Sequence, residues 1–218
     1  MPKLKVAVLI SGRGSNLQSL IDAALKDNYP AEIVMVLSNR PEAYGLERAA
    51  EADIPAAGLD HKAFASKTDF EMALDAALIE CGAELVCLAG FMRLLSAEFV
   101  TKWSGKLVNI HPSILPSFKG LHTHRQTLEA GVKIAGCTVH FVVPEMDAGP
   151  IITQAAVPVM PDDDEAALAA RVLRLEHQLY PRAVRWIAEG RVKVVNGKVD
   201  IDGAKTRDSA IIAPARAG

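Results

Sequence analysis

The fold of this chain is decided by its first apolar run and the turn that follows it, Val6-Ala7-Val8-Leu9-Ile10-Ser11-Gly12-Arg13-Gly14-Ser15-Asn16. Five consecutive apolar residues are typical of a strand that is buried on both faces, as strands in parallel sheets are. The glycine-rich turn leads into a segment over residues 16–26 that predicts a helix. A buried strand, a turn and a helix in this order begin an α/β unit.

The same alternation continues along the first half of the chain. Further strands are predicted at residues 32–37, 85–89 and 107–110, with a short extended segment at 55–59. Helices are predicted between them at residues 45–52, 67–81 and 97–102. Alternating strands and helices are typical of a doubly wound parallel sheet with helices on both faces.

The pattern changes after Pro116. A helix is predicted at residues 125–130, followed by two β-rich segments at 136–143 and 151–157 that are close enough to pair antiparallel. A helix from about 165 to 179 is expected to be interrupted by Pro181, with a further helix ending near Gly190, and Asn196-Gly197 predicts a hairpin over 192–201. We therefore expect a Rossmann-like, doubly wound, mostly parallel α/β sheet with an antiparallel C-terminal extension.

Length and composition indicate one compact unit. The chain has 218 residues, half of them hydrophobic, and 24 Lys and Arg against 26 Asp and Glu. A formal charge of −2 gives no general attraction to nucleic acid or to an anionic membrane, so any anion must be bound locally. We predict a single domain over residues 1–203 and a mobile tail over 204–218.

Compartment and metal content are also constrained by the sequence. Cys81, Cys87 and Cys137 lack a Cys-x-x-Cys spacing, which favours reduced thiols over disulfides or zinc. The start of the chain has no signal-peptide pattern, and no apolar run is long enough to span a bilayer. These features predict a cytoplasmic protein without a structural metal.

The strongest chemical motif is Asn109-Ile110-His111-Pro112-Ser113-Ile114-Leu115-Pro116, read together with Asp147-Ala148-Gly149-Pro150. Asn109 and His111 are two residues apart on a predicted strand, so their side chains should project to the same side. An amide and an imidazole at a strand end can stabilise a developing oxyanion, and a carboxylate can hold the ring. A His-Pro turn and an ordinary Asp-Ala-Gly-Pro loop are the alternative interpretation of the two halves taken separately.

The turn over Ser11 to Asn16 is a candidate phosphate site, because backbone N–H groups converge at a helix N-terminus. The third glycine of a dinucleotide fingerprint would fall at Leu17, and neither Lys-Ser nor Lys-Thr follows Gly14, so the dinucleotide and P-loop motifs are both excluded. A purely structural turn is about as well supported as a phosphate site by these residues alone.

Taken together, these motifs resemble those of the formyl-folate-dependent formyltransferases and their hydrolase relatives. The resemblance covers residues from about 6 to 189 and implies that Asn109, His111 and Asp147 form the catalytic group. Ser-Gly-x-Gly-Ser-Asn is similar to the motif of the glycinamide ribonucleotide branch, as is Leu121-His122-Thr123-His124. We interpret the two histidines of that second motif as capping and loop residues rather than metal ligands. The branch implies that the substrate is held by Gly14, Ser15, Asn16 and Glu176.

The resemblance also implies where the folate would bind. The expected residues are Lys67, Met92, Arg93, Leu94, Leu95, Asn109, Val143, Pro144, Glu145, Met146 and Asp147. Without the family, residues 92–95 would be assigned to core packing. Two positions depart from the family pattern: Lys67 stands where Arg is common, and Leu173 stands where a polar residue is common. His140 is either a satisfied core histidine or a neighbour of the site.

The implied activity is transfer of the formyl group of 10-formyltetrahydrofolate, as co-substrate, to the amine of glycinamide ribonucleotide in purine biosynthesis. Residues 1–105 would form the phosphate-binding half and 106–203 the catalytic and folate-binding half of a monomer or weak homodimer. The partners are then small molecules, with no nucleic acid, membrane or metal. Two rival functions are a hydrolase that passes the formyl group to water and a non-catalytic binding module on the same fold.

Overall fold

The computed structural model describes residues 2–205 and 212–213, so most of the predicted mobile tail lies outside the described residues. The strands are β1 Leu4–Ile10, β2 Ala31–Ser38, β3 Ala56–Gly58, β4 Leu85–Leu88, β5 Leu107–His111, β6 Ile134–Phe141, β7 Ile151–Pro158, β8 Val192–Val195 and β9 Lys198–Ile201. The helices are α1 Ser15–Ala24, α2 Tyr44–Glu51, α3 Lys67–Glu80, α4 Ala97–Lys102, α5 Thr123–Glu129 and α6 Glu165–Ala188.

Within these residues the main sheet has the order β3-β2-β1-β4-β5-β6-β7. Strands β1 to β5 pair parallel with one another, whereas β6 pairs antiparallel with both β5 and β7, which confirms the expected mixed sheet. The chain moves outward in one direction from β1 and in the other from β4. The carboxyl ends of β1 and β4 therefore border the crevice in which open α/β sheets bind ligands.

Helices cover both faces of the sheet. In the described part of the chain, one buried cluster joins one sheet face to α1 and α6 and includes Leu17, Leu20 and Val172. A second cluster joins the opposite face to α3 and α4 through Phe70, Leu74 and Phe99. The apolar run that predicted β1 is completely enclosed, since Ala7 to Ile10 have no exposed surface.

The predicted break at Pro181 is wrong, because α6 continues through it. A proline inside a helix forfeits one backbone hydrogen bond and costs about 3 kcal/mol. Packing offsets this cost: Tyr180, Ala183 and Val184 extend the buried face of the helix beyond the proline. The Tyr180 hydroxyl shares its one hydrogen between the carbonyls of Leu88 and Val108, 3.0 Å from each, which fixes the helix to the end of β4 and the start of β5.

Two other local predictions have different outcomes. Helix α5 begins at Thr123 instead of residue 125. The side chain of its N-cap residue, His122, makes no capping hydrogen bond within the described residues, so the capping role predicted for this motif is wrong. The hairpin at Asn196-Gly197 is confirmed, with φ of 51° and 74° at the two turn residues. Positive φ at both positions is what a tight two-residue hairpin requires.

Candidate active site

A cavity of about 410 Å³ lies beyond the carboxyl ends of β4 and β5. Most of its lining comes from the loop after β4, the end of β5, the loop before α5, and the end of β6 with the loop that follows it. At its rim, large apolar side chains remain exposed, namely Met92, Leu94, Leu121 and Met146. Exposed apolar side chains around a concave site with a few polar groups are typical of a small-molecule pocket.

Two of the predicted catalytic residues lie together at the end of β5. Asn109 and His111 both line the cavity, as their i, i+2 spacing predicted. The loop between β6 and β7 brings in Asp147, whose Oδ2 is 3.6 Å from His111 Nδ1 and accepts the Gly120 N–H at 2.8 Å. Gly149 allows this close loop, because a Cβ there would lie 1.8 Å from the Phe141 carbonyl oxygen.

A backbone carbonyl fixes the proton on the His111 ring. His111 Nε2 is 3.0 Å from the Phe118 carbonyl oxygen. A carbonyl can only accept, so Nε2 carries a hydrogen and Nδ1 is the nitrogen that faces Asp147. Phe118 and Asp147 both hold non-glycine backbone at positive φ, 54° and 49°. Such backbone is sparsely populated and persists where the surroundings over-determine it.

His140 is the site residue that sequence reasoning left outside the catalytic group. It pairs with Asn109 across β5 and β6, is 2 % exposed, and places Nε2 3.3 Å from Asn109 Nδ2 and 3.9 Å from Asp147 Oδ1. Its Nδ1 lies 2.9 Å from the Phe141 carbonyl, so Nδ1 donates and Nε2 is free to accept from the Asn109 amide. Burial lowers the His140 pKa against weaker opposing effects of the Phe141 carbonyl and Asp147, which favours this neutral form.

The proline-containing segment after His111 is held by a buried polar network. The Thr138 hydroxyl donates to the Ser113 carbonyl at 2.7 Å and accepts the Leu115 N–H at 3.1 Å. Gln154 Nε2 lies 2.9 Å from both the Leu115 carbonyl oxygen and the Thr138 hydroxyl. Both groups come from the antiparallel extension, β6 and β7, which therefore fixes the backbone that follows the imidazole.

The predicted phosphate turn is shaped by close backbone packing. Gly14 is the N-cap of α1 with φ of 69°, and among residues 2–205 and 212–213 no side chain caps this helix. A Cβ on Gly14 would lie 2.8 Å from Gly45 Cα, and the Gly45 N–H donates to the Gly12 carbonyl at 3.0 Å. The first N–H groups of α1 have no partners within the helix, so they can receive an anion.

Glu176 reaches the same turn from α6. Its Oε2 accepts from Asn16 Nδ2 at 2.6 Å, and both side chains are buried. Burial raises the Glu176 pKa, and the bond from Asn16 opposes that rise. Asn16 Oδ1 is buried and has no hydrogen-bond partner among the described residues. An unpaired buried acceptor is uncommon and calls for a donor, which a bound ligand can supply.

The residues expected around the folate line the cavity with one exception. Met92, Arg93, Leu94 and Leu95 form one side, and Val143, Pro144, Glu145, Met146 and Asp147 another. Lys67 does not line it; its ammonium is 3.7 Å from Glu71 at the start of α3. The backbone N–H groups of residues 93–95 find no acceptor within the described ranges, so they are available to the edge of a heteroaromatic ring.

Residues 2–205 and 212–213 contain no group of three or more His, Cys, Asp or Glu side chains that could hold a metal ion. Over the same residues, no helix is long and apolar enough to cross a membrane.

Comparison with known proteins agrees with this geometry. Residues 4–184 match the model of the family described as Formyl transferase, so the chain belongs to that family. It is 45% identical to phosphoribosylglycinamide formyltransferase of Escherichia coli (strain K12) over 202 residues, which are 93% of this chain and 95% of the relative. It superposes on a crystal structure of glycinamide ribonucleotide transformylase 1 from Symbiobacterium toebii with a TM-score of 0.89 and 47% identity, covering 91% of this chain and 94% of the other.

A longer type of relative also matches. The trifunctional purine biosynthetic protein adenosine-3 of Gallus gallus is 53% identical over 192 residues, or 88% of this chain. The chain spans 19% of the length of that relative.

Proposed function

We propose that the chain is an enzyme that transfers the formyl group of 10-formyltetrahydrofolate to the amine of glycinamide ribonucleotide. The products are formylglycinamide ribonucleotide and tetrahydrofolate, in de novo purine biosynthesis. One observation carries this proposal: Asn109, His111 and Asp147 converge on one cavity, 3.6 Å apart at the closest His111–Asp147 atoms. Family membership supports the formyl chemistry, and the relatives of matching length support this acceptor.

The folate would occupy the cavity, and its residues fit such a ligand. The loop after β4 offers apolar side chains and free backbone N–H groups, which suits a flat ring with polar edges. We assign the ring to this loop and to the facing loop of residues 143–147. Lys67 would contact the acidic tail outside the cavity, after exchanging its partner Glu71 for the ligand. Lysine lacks the bidentate geometry of arginine, so this contact would be the weaker one.

The ribonucleotide would lie across the turn between β1 and α1. Its phosphate would accept from the backbone N–H groups at Gly14, Ser15 and Asn16, where α1 has no side-chain cap. The unpaired Asn16 Oδ1 and the buried Glu176 carboxyl would bind the sugar and glycinamide groups. The Leu173 side chain has no polar group, so one hydrogen bond to the sugar would be made by solvent instead of by the protein.

The catalytic group then has a defined task for each side chain. The neutral amine attacks the formyl carbon, so that a C–N bond forms and negative charge develops on the formyl oxygen. Asn109 donates one amide hydrogen to His140, which leaves its second N–H for that oxyanion. His111 lines the same cavity and would take part in moving the amine proton, and Asp147 orients its ring. The bond from carbon to the folate nitrogen then breaks, and the amine proton passes to that nitrogen through this group and water.

The wider organisation belongs to the same proposal. Residues 1–203 would act as one domain, with the phosphate turn in residues 1–105 and the catalytic group in 106–203. Each half would need the other, because Leu88 to Leu95 of the first half line the cavity and Glu176 of the second reaches Asn16. We propose a cytoplasmic enzyme that acts as a monomer or weak homodimer.

The test is a spectrophotometric assay of 10-formyltetrahydrofolate consumption with and without glycinamide ribonucleotide. Consumption that requires the ribonucleotide supports the proposal. Formate release at the same rate without it would assign the chain to the hydrolases, and no consumption would leave only a binding module.

A further inference from the structure

Ser11 belongs by sequence to the phosphate turn, yet its side chain contacts the other half of the site. Its hydroxyl is buried, 4 % exposed, and accepts the Met92 N–H at 2.7 Å. It also donates a short hydrogen bond to Asn39 Oδ1. A hydroxyl has one hydrogen, and Asn39 Oδ1 can only accept, so the direction of both bonds is fixed.

The three partners follow neighbouring strands of the sheet. Asn39 follows β2, Ser11 follows β1, and Met92 is in the loop after β4. Asn39 is itself 2 % exposed, and its backbone carbonyl oxygen lies 2.9 Å from His61 Nδ1, so the residue whose side chain accepts from Ser11 is fixed in the fold. The Ser11–Met92 bond therefore spans the crevice between β1 and β4, where the strand order reverses.

Residues 92–95 form one wall of the cavity. This wall needs such a support because its backbone makes few hydrogen bonds of its own. Its far end is held by Glu71, whose carboxylate accepts the Ser96 N–H at 2.7 Å and also the Ser96 hydroxyl. Between Met92 and Ser96, the backbone N–H groups find no acceptor within the described ranges. Ser11 thus holds the near end of the four-residue wall, residues 92–95, and Glu71 holds its far end through Ser96.

We infer that Ser11 is a positioning residue for the folate site rather than for the phosphate site that contains it in sequence. This inference rests on the proposed function for the identity of the ligand. Loss of the hydroxyl would leave the Met92 N–H and Asn39 Oδ1 without partners and release the near end of the wall. The backbone of the phosphate turn would keep its own support, the Gly45 N–H bond to the Gly12 carbonyl.

The test compares Ser11→Ala with Ser38→Ala. Ser38 is a matched control: it is 1 % exposed, ends the neighbouring strand β2, and accepts the Arg40 N–H at 3.1 Å. In the described part of the chain its hydroxyl makes no hydrogen bond to residues 92–95. Calorimetric titration gives the dissociation constants of tetrahydrofolate and of glycinamide ribonucleotide. We expect Ser11→Ala to raise that of tetrahydrofolate about tenfold relative to the control, the effect of one hydrogen bond of about 1.4 kcal/mol. The ribonucleotide constant should change less than about twofold.

A second measurement is independent of both ligands. Amide hydrogen exchange of the free protein should become faster at Met92 in Ser11→Ala, while the Phe99 amide, which is bonded to the Ser96 hydroxyl, keeps its protection. An unchanged tetrahydrofolate constant, an equal loss of the ribonucleotide, or unchanged exchange at Met92 would each overturn the inference. If the unsubstituted protein bound no folate, the proposed function would fail, and exchange at Met92 would still decide whether the hydroxyl holds the wall.

Discussion

Gly14 gives the sharpest prediction for the phosphate turn. Replacing it with Ala adds one methyl group at φ of 69°, where that Cβ would lie 2.8 Å from the backbone Cα of Gly45. A side chain at this φ costs about 1–2 kcal/mol, and the backbone contact forces the turn or α2 to shift. The shift moves the N–H groups that would receive the phosphate. We expect the ribonucleotide dissociation constant to rise at least about tenfold, roughly 1.4 kcal/mol, with folate binding nearly unchanged.

Gly12, two residues earlier in the same turn, provides the control. A Cβ there would meet no atom of the described part of the chain within 4 Å. Gly12→Ala should therefore keep its stability or gain about 0.4–1 kcal/mol from reduced unfolded-state freedom. Calorimetric titration of both ligands, with urea unfolding of both variants, measures these effects. Equal weakening of the two ligands by Gly14→Ala, or an unchanged ribonucleotide constant, would refute the role of the turn.

Two further predictions concern the cavity and its buried histidine. Because Leu95 lines the cavity, Leu95→Glu should weaken tetrahydrofolate binding by tenfold or more (about 1.4 kcal/mol) while the melting temperature stays within a few degrees. Global unfolding of the variant would instead show that Leu95 is a core residue. Burial lowers the His140 pKa, so its contribution to the unfolding free energy is complete above about pH 6.5 and is lost as pH falls through the lower folded value. Urea unfolding at pH 7.5 and about 5.5 should show a smaller loss for His140→Asn than for the unsubstituted protein, and identical losses would contradict this.

The sheet could be predicted because its determinants are local. Residues 6–10 of β1 include no polar residue, so burial of this run on both faces followed directly from the sequence. The placement of Asn109 and His111 also followed, since the two-residue period of a strand sets it. Pro181 misled the prediction because a local rule for proline was overruled by tertiary packing around Tyr180.

Other features depend on contacts between distant segments. His140 enters the site through its antiparallel pairing with Asn109, and the register of that pairing cannot be read from a single sequence. The bond between Asn16 and Glu176 joins residues 160 positions apart; the resemblance to a family indicated each as a substrate contact, and the bond itself emerged only from the fold. The Phe118 carbonyl that orients His111 is a backbone group, so no residue type could have signalled it.

The most direct test of formyl transfer by this catalytic group is the turnover rate of Asp147→Asn with both substrates saturating. Asparagine keeps the shape and can still accept the Gly120 N–H, but it removes the charge 3.6 Å from His111. We predict a fall in kcat of about 10²- to 10⁴-fold, the usual contribution of positioned acid–base catalysis. Near-normal turnover in this variant would contradict the account and make Asp147 a structural residue of its loop.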